Sequence, residues 1–209
     1  MHEVSLGRTI RDYLTGEQVE QTTYEDLRQA LARILVEEKG YPASSVRARI
    51  GVHFPVAGTA VSAVSAVSAG AAGAAGAVEE ETGAEEYCRT IDLAVYDADG
   101  RPMLILLFCP GQVNTYRRES LAAARLFPGG PVPLVLITDT KDAMLVGVQK
   151  DEVLGGGMHA IPVWDWLERL VQEHPVLPLS PERIGAERRI LHTYSEFIKT
   201  CCDETLCML

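Results

Sequence analysis

The spacing of apolar and polar positions changes period along the chain, and the changes mark out elements. Leu27, Leu31, Ile34 and Leu35 recur at helical intervals after Thr23. Glu25 and Asp26 fall in the first turn, where a helix dipole favours acids, and Gly40-Tyr41-Pro42 ends the run. Residues 46–52 alternate apolar with polar side chains, as a half-buried strand does. Residues 89–96 and 102–108 are two β-rich runs joined by Asp97-Ala98-Asp99-Gly100, whose Asp-Gly pair signals a hairpin turn. The second run, Met103 through Phe108, is apolar on both faces and reads as a central strand. Cys109-Pro110-Gly111 breaks it, and a helix is predicted from about Asn114 to Phe127, ended by Pro128-Gly129-Gly130-Pro131. A buried strand at 133–138, a turn at 139–142 and a returning strand at 143–148 follow. Two helices, 163–173 and 181 to about 200, complete the chain on either side of the Pro-rich stretch 175–178. This order predicts an α/β fold, a mixed sheet flanked by helices.

One stretch departs from this patterning. Ala60-Val61-Ser62 recurs as Ala63-Val64-Ser65 and Ala66-Val67-Ser68, and Ala/Gly tripeptides continue to Ala77. The uncharged run 54–78 is too poor in Leu, Ile and Phe for a membrane span. Residues 56–86 therefore read as a low-complexity insertion lengthening a hairpin loop. The expected organisation is an N-terminal segment 1–22, a core 23–150 interrupted by the insertion, and a C-terminal helical extension 151–209.

With 47% hydrophobic and 23% charged residues the composition is globular. The net charge of −10 disfavours indiscriminate binding to polyanions, although five of the acids, Glu79, Glu80, Glu81, Glu85 and Glu86, sit on the insertion. Arg28, Arg33, Arg47, Arg49, Arg117, Arg118, Arg125, Arg188 and Arg189 could form a local phosphate-binding strip or simply line solvated faces. The first fifteen residues lack an apolar signal-peptide core, so the expected compartment is the cytoplasm, without membrane contact. Cys88, Cys109, Cys201, Cys202 and Cys207 are odd in number and bunched toward the end, unlike a disulfide framework, and read as thiols. The last three, with His192, are a conceivable soft-metal set lacking paired CxxC spacing. His53 and His159 are lone histidines and read as packed or exposed rather than catalytic. No phosphate-binding loop, GxGxxG, HExxH or GxSxG occurs, so no nucleotide partner is implied. In Trp164-Asp165-Trp166 the two rings face different sides of a helix, one toward the core and the other toward an interface or the surface.

The run Arg28-Gln29-Ala30-Leu31-Ala32-Arg33-Ile34-Leu35-Val36-Glu37-Glu38-Lys39-Gly40-Tyr41-Pro42, followed by Ile91-Asp92-Leu93-Ala94-Val95-Tyr96 and Gly100-Arg101-Pro102, resembles the N-terminal nuclease domain of the type I restriction enzyme R subunit. That domain belongs to the restriction-endonuclease-like PD-(D/E)XK superfamily, whose core order is αβββαβ. The likeness covers roughly residues 15–150 outside the insertion. It implies DNA as partner and Mg²⁺-dependent phosphodiester hydrolysis. The family places an Asp on the second strand and, on the third, an acid and a Lys two residues apart. The carboxylates hold the cation and the Lys meets phosphate charge.

Asp92 occupies the Asp position. Counting back from Pro110, Leu106 and Phe108 stand where the acid and Lys belong, and residues 102–111 contain no Asp, Glu, Lys or Arg. A single carboxylate cannot cage Mg²⁺, so fold and activity separate. The expected protein is a catalytically degenerate nuclease-like module that binds DNA or a protein partner and needs no cofactor. The alternative is an active Mg²⁺-dependent endonuclease whose acid has moved to Glu119 on the following helix. A second alternative is a structural partner protein with no nucleic-acid role. Glu25 matches a metal-associated acid of related nucleases, or is a first-turn acid facing the dipole. Asp92 is either a metal ligand or a vestigial acid bound to a backbone N–H or a neighbouring Arg such as Arg89.

Overall fold

The structure, a computed structural model, describes residues 4–56 and 85–202. The low-complexity run therefore lies outside the described residues. The chain opens with a two-stranded hairpin, β1 (Ser5–Arg11) and β2 (Gln18–Thr22). The N-terminal segment 1–22 thus carries two strands for which no element was predicted. Its strands were hidden from the hydrophobic pattern because β1 is exposed along nearly its whole length.

Helix α1 (Thr23–Arg33) begins where Thr22 caps it, the Thr22 hydroxyl accepting from the Glu25 N–H at 2.9 Å. It runs on through a π turn (Ile34–Glu38) and ends before Gly40, whose φ of +75° favours glycine. Then come β3 (Val46–Val56), β4 (Glu85–Tyr96), β5 (Pro102–Phe108), α2 (Arg117–Arg125, after a 3₁₀ turn), β6 (Leu134–Thr138), β7 (Ala143–Gly147), β8 (Glu152–Gly156), α3 (Trp164–Glu173) and α4 (Pro181–Cys202). Strands β3 to β8 form one six-stranded sheet in sequence order. All neighbours are antiparallel except β5 and β6, which α2 joins as a crossover. The expected mixed sheet flanked by helices, with helix–three strands–helix–strand at its heart, is observed. The C-terminal part is not a purely helical extension: β8 is a strand of the sheet, and α4 brings Leu191 into the core. Strand β8 is short, Gly-rich and at an edge, which left little pattern to read.

A core lies on each face of the sheet. One face packs on α1 and α3 through Leu31, Leu35, Leu93, Leu104, Leu106, Leu134 and Leu167. The other packs on α2 and α4 through Val52, Phe54, Ile91, Ile105, Leu107, Leu121 and Leu191. Buried on both faces, β5 and β6 are continuous apolar runs. Of the tryptophans, Trp164 packs edge-on to Tyr41 while Trp166 is exposed.

Strands β3 and β4 change faces halfway along. Val46 and Ala48 belong with the α1 face, Ile50 and Val52 with the α2 face, and across the ladder Leu93 and Ile91 divide in the same way. The register does not slip: Ala48 faces Leu93 and Ile50 faces Ile91. Between them lie Asp92 and Arg49, the latter at a φ of +57°. A left-handed residue inside a strand turns the pleat over, at a cost of about 1–3 kcal/mol.

Because Val56 and Glu85 are ladder partners, the ends of the insertion lie side by side. Replacing residues 57–84 by a two-residue Asn-Gly turn is expected to leave a protein that unfolds cooperatively at or above the melting temperature of the full chain, since each halving of a loop lowers its closure cost by about 0.6 kcal/mol. Calorimetry of the shortened chain tests this, and loss of the cooperative transition would place the segment in the core.

Candidate functional site

Asp92 lies on β4 where β4 and β5 part. Their paired register ends at Leu93 and Leu106. Beyond it the backbone N–H of Phe108 donates to Asp92 Oδ2 at 2.8 Å. The carboxylate thus continues a ladder the backbones have abandoned, with only 4% of the residue exposed. Its other oxygen, Oδ1, accepts from Arg28 Nε at 2.8 Å. Arg28 projects from the second turn of α1 and its Nη1 donates to Glu25 Oε2 at 3.0 Å. One buried guanidinium therefore bridges the two carboxylates singled out in the sequence.

Glu25 is 2% exposed and does more than face the helix dipole. Its Oε2 also accepts from Arg49 Nη1 at 2.7 Å, and its Oε1 from Gln29 Nε2 at 2.9 Å. Arg49 reaches further, to Asp12 Oδ2 at 3.2 Å. Asp12, in the β1–β2 turn, accepts from the N–H groups of Leu14 and Thr15 and from the Thr15 hydroxyl. Gln29 closes the network, accepting from the Tyr13 N–H at 2.7 Å. Three acids, two arginines and one amide from the hairpin, α1, β3 and β4 form a continuous chain of charge-assisted hydrogen bonds. Burial works against the Asp12 anion, but the Thr15 and Leu14 N–H groups, the Thr15 hydroxyl and Arg49 outweigh it and hold its carboxyl below the ordinary range.

On β5, Leu106 is fully buried among Leu104, Leu134 and Leu136. Phe108 meets Tyr24 edge-on at 5.0 Å. Leu106 and Phe108, the positions where the resemblance would call for an acid and a Lys, thus hold packed apolar side chains. Mg²⁺ requires octahedral oxygen ligands, and here the two available carboxylates share a cation supplied by the chain itself. The residues do not fit a divalent metal. Among the described residues, no cluster of three or more His, Cys, Asp or Glu is arranged to hold one.

Glu119, on α2, is 1% exposed. Its Oε1 accepts from Arg89 Nε at 2.5 Å, while its Oε2 is buried without a hydrogen-bond partner among the described residues. Arg89 is thereby taken up by Glu119, and the arginine beside Asp92 is Arg28 instead. Cys109, beyond the end of β5, is buried, and that burial, reinforced by Asp139, Glu119 and Asp92 and only partly offset by its hydrogen bond to the Gly111 carbonyl, pushes its thiol up to about 12, which favours the neutral thiol.

The arginines weighed as a phosphate strip are largely engaged elsewhere. Arg47 stacks over the Tyr96 ring at 4.4 Å, Arg117 pairs with Asp151, and Arg125 pairs with Glu187 and the Val148 carbonyl. His192 packs edge-on to Tyr87. Cys207 and the side chains of Cys201 and Cys202 lie outside the described residues. Compared with family models, with curated proteins and with solved structures, the chain finds no match.

Asp12 and Gln29 escaped the sequence reading as site residues, and Arg49 was weighed there only for a phosphate strip. The signals present were the Asp12-x-x-Thr15 turn and the i,i+3 spacing of Glu25 and Arg28. Removing the bridge by Arg28→Ala leaves Asp92 buried with the Phe108 N–H but no counter-charge, while Glu25 keeps Arg49 and Gln29, and is expected to lower stability by about 3–5 kcal/mol, measured by denaturant unfolding. Since the Asp12 carboxyl is held low in the folded state, its contribution is complete above the ordinary Asp range and is lost as pH falls through the folded value. Asp12→Asn should therefore flatten the acid limb of a stability–pH curve below about pH 4.

Proposed function

We propose that this chain is a restriction-endonuclease-like domain, related to the N-terminal domain of type I R subunits, that has lost cleavage and acts by binding. The observation that carries the reading is the Arg28 bridge. Where a nuclease of this kind would hold a divalent cation between acids, a guanidinium joins Asp92 to Glu25 at 2.8 and 3.0 Å, and Leu106 and Phe108 supply neither ligand nor charge. The element order, the mixed sheet and the placing of Asp92 at the parting of β4 and β5 agree with the resemblance. DNA is the partner the resemblance implies. With so many arginines paired internally, any binding is expected to be modest and sensitive to salt.

A second reading, an active endonuclease using a displaced acid, has one observation in its favour: the unpartnered buried oxygen of Glu119. One assay separates the two. Purified protein is incubated with plasmid and single-stranded DNA in Mg²⁺ or Mn²⁺ beside its Asp92→Ala variant. The proposal predicts equal, background rates, because losing electrostatic groups of this type costs on the order of 100- to 1000-fold each. Cleavage abolished by both Asp92→Ala and Glu119→Ala would establish the active enzyme. Retardation of DNA without cleavage, fading as salt rises, would support the binding module, and no retardation at low salt would leave a protein partner as its target.

A further inference from the structure

On the solvent side of the β3–β4 hairpin, His53 and Cys88 are direct ladder partners. The outward-facing positions beside them are Gly51 and Pro55 on β3 and Glu86 and Thr90 on β4, while Val52, Phe54 and Tyr87 turn into the core. Cys88 Sγ lies 3.6 Å from His53 Nε2. On the far side of the ring, Nδ1 lies 3.4 Å from Glu86 Oε1. A carboxylate can only accept, so it favours the tautomer with the proton on Nδ1 and leaves the Nε2 lone pair toward the thiol. Space for this contact depends on glycine. A Cβ at Gly51 would stand 2.8 Å from His53 Nε2 and 3.1 Å from Cys88 Sγ. Nucleophile, base and orienting acid meet on an exposed surface, the ring and the thiol lying close over Gly51.

We propose that Cys88 is a reactive thiol, activated by His53, and that it is a modification site for low-molecular-weight disulfides. The thiol proton passes to His53 Nε2 as Sγ attacks one sulfur of the incoming disulfide. The new S–S bond forms, the old one breaks, and the departing thiolate takes the proton from Nε2. One disulfide and one thiol enter, one mixed disulfide and one thiol leave, and no further oxidant is needed. His53 is the base. Glu86 is a positioning residue that acts through the ring. This site is separate from the Arg28 network and does not rest on the proposed binding function.

The test is the rate at which oxidised glutathione adds to Cys88 in the full-length protein at pH 7, resolved by peptide mass spectrometry so that Cys109, Cys201, Cys202 and Cys207 are counted apart. The expected rate exceeds that of an unstructured peptide carrying the same cysteine by about tenfold, since a placed base contributes at least that much. His53→Gln, an exposed substitution, should abolish the excess. Gly51→Ala should do the same while keeping both reacting groups, with circular dichroism checking the fold. Glu86→Ala should lower the rate and, in ¹⁵N spectra of the imidazole, move the proton from Nδ1 toward Nε2, which a merely structural residue would not do. A Cys88 rate equal to that of the peptide, or unchanged in His53→Gln, would overturn the proposal.

Discussion

The guanidinium of Arg28 lies between two carboxylates that folding has removed from water, and the arrangement around it follows from that constraint. A buried carboxylate without a counter-charge would cost several kcal/mol, and Arg28 supplies that charge to Asp92 and shares with Arg49 in supplying it to Glu25. Holding it requires α1 to sit at a fixed rotation over β4, which the capped start at Thr22 and the apolar contacts of Leu31 and Leu35 supply. The remaining lone pairs are met by Gln29, Arg49 and the Phe108 N–H. Arg49 carries the network on to Asp12, tying the N-terminal hairpin to the sheet.

The same place is where the sheet turns over. The left-handed backbone of Arg49 and the parting of β4 from β5 at Asp92 let one pair of strands serve both cores. A change of face in the middle of a strand pair would ordinarily expose half of its apolar residues. Here helices α1 and α3 cover one half and α2 and α4 the other. Strain at Arg49 and ion pairing at Arg28 are thus parts of one solution, and the polar cluster occupies the seam between the two cores.

How far this was legible in the sequence depended on period. Helix α1, the hairpin of β4 and β5, and the apolar strands β5 and β6 announce themselves through repeats of 3.6 or through runs buried on both faces. The β1–β2 hairpin does not, because an exposed two-stranded ribbon needs no apolar alternation, and β8 does not, because a five-residue Gly-rich edge carries almost none. Asp12 was lost with its hairpin. Asp92, Glu25 and the apolar third strand could be singled out from local wording. The bridge could not, since Arg28 and Asp92 are 64 residues apart and only the packing of α1 on the sheet brings them together. His53 and Cys88 illustrate the same limit: each is unremarkable alone, and their pairing depends on a register set across a long insertion.

The account stands on Arg28 serving as the cation of this site in place of a metal. Titration of the protein with Mn²⁺, with free ion followed by electron paramagnetic resonance, tests that most directly. The account predicts no stoichiometric binding by the wild type at millimolar Mn²⁺, and no difference between wild type and Asp92→Ala. One tightly bound Mn²⁺ per chain, released by Asp92→Ala, would contradict it.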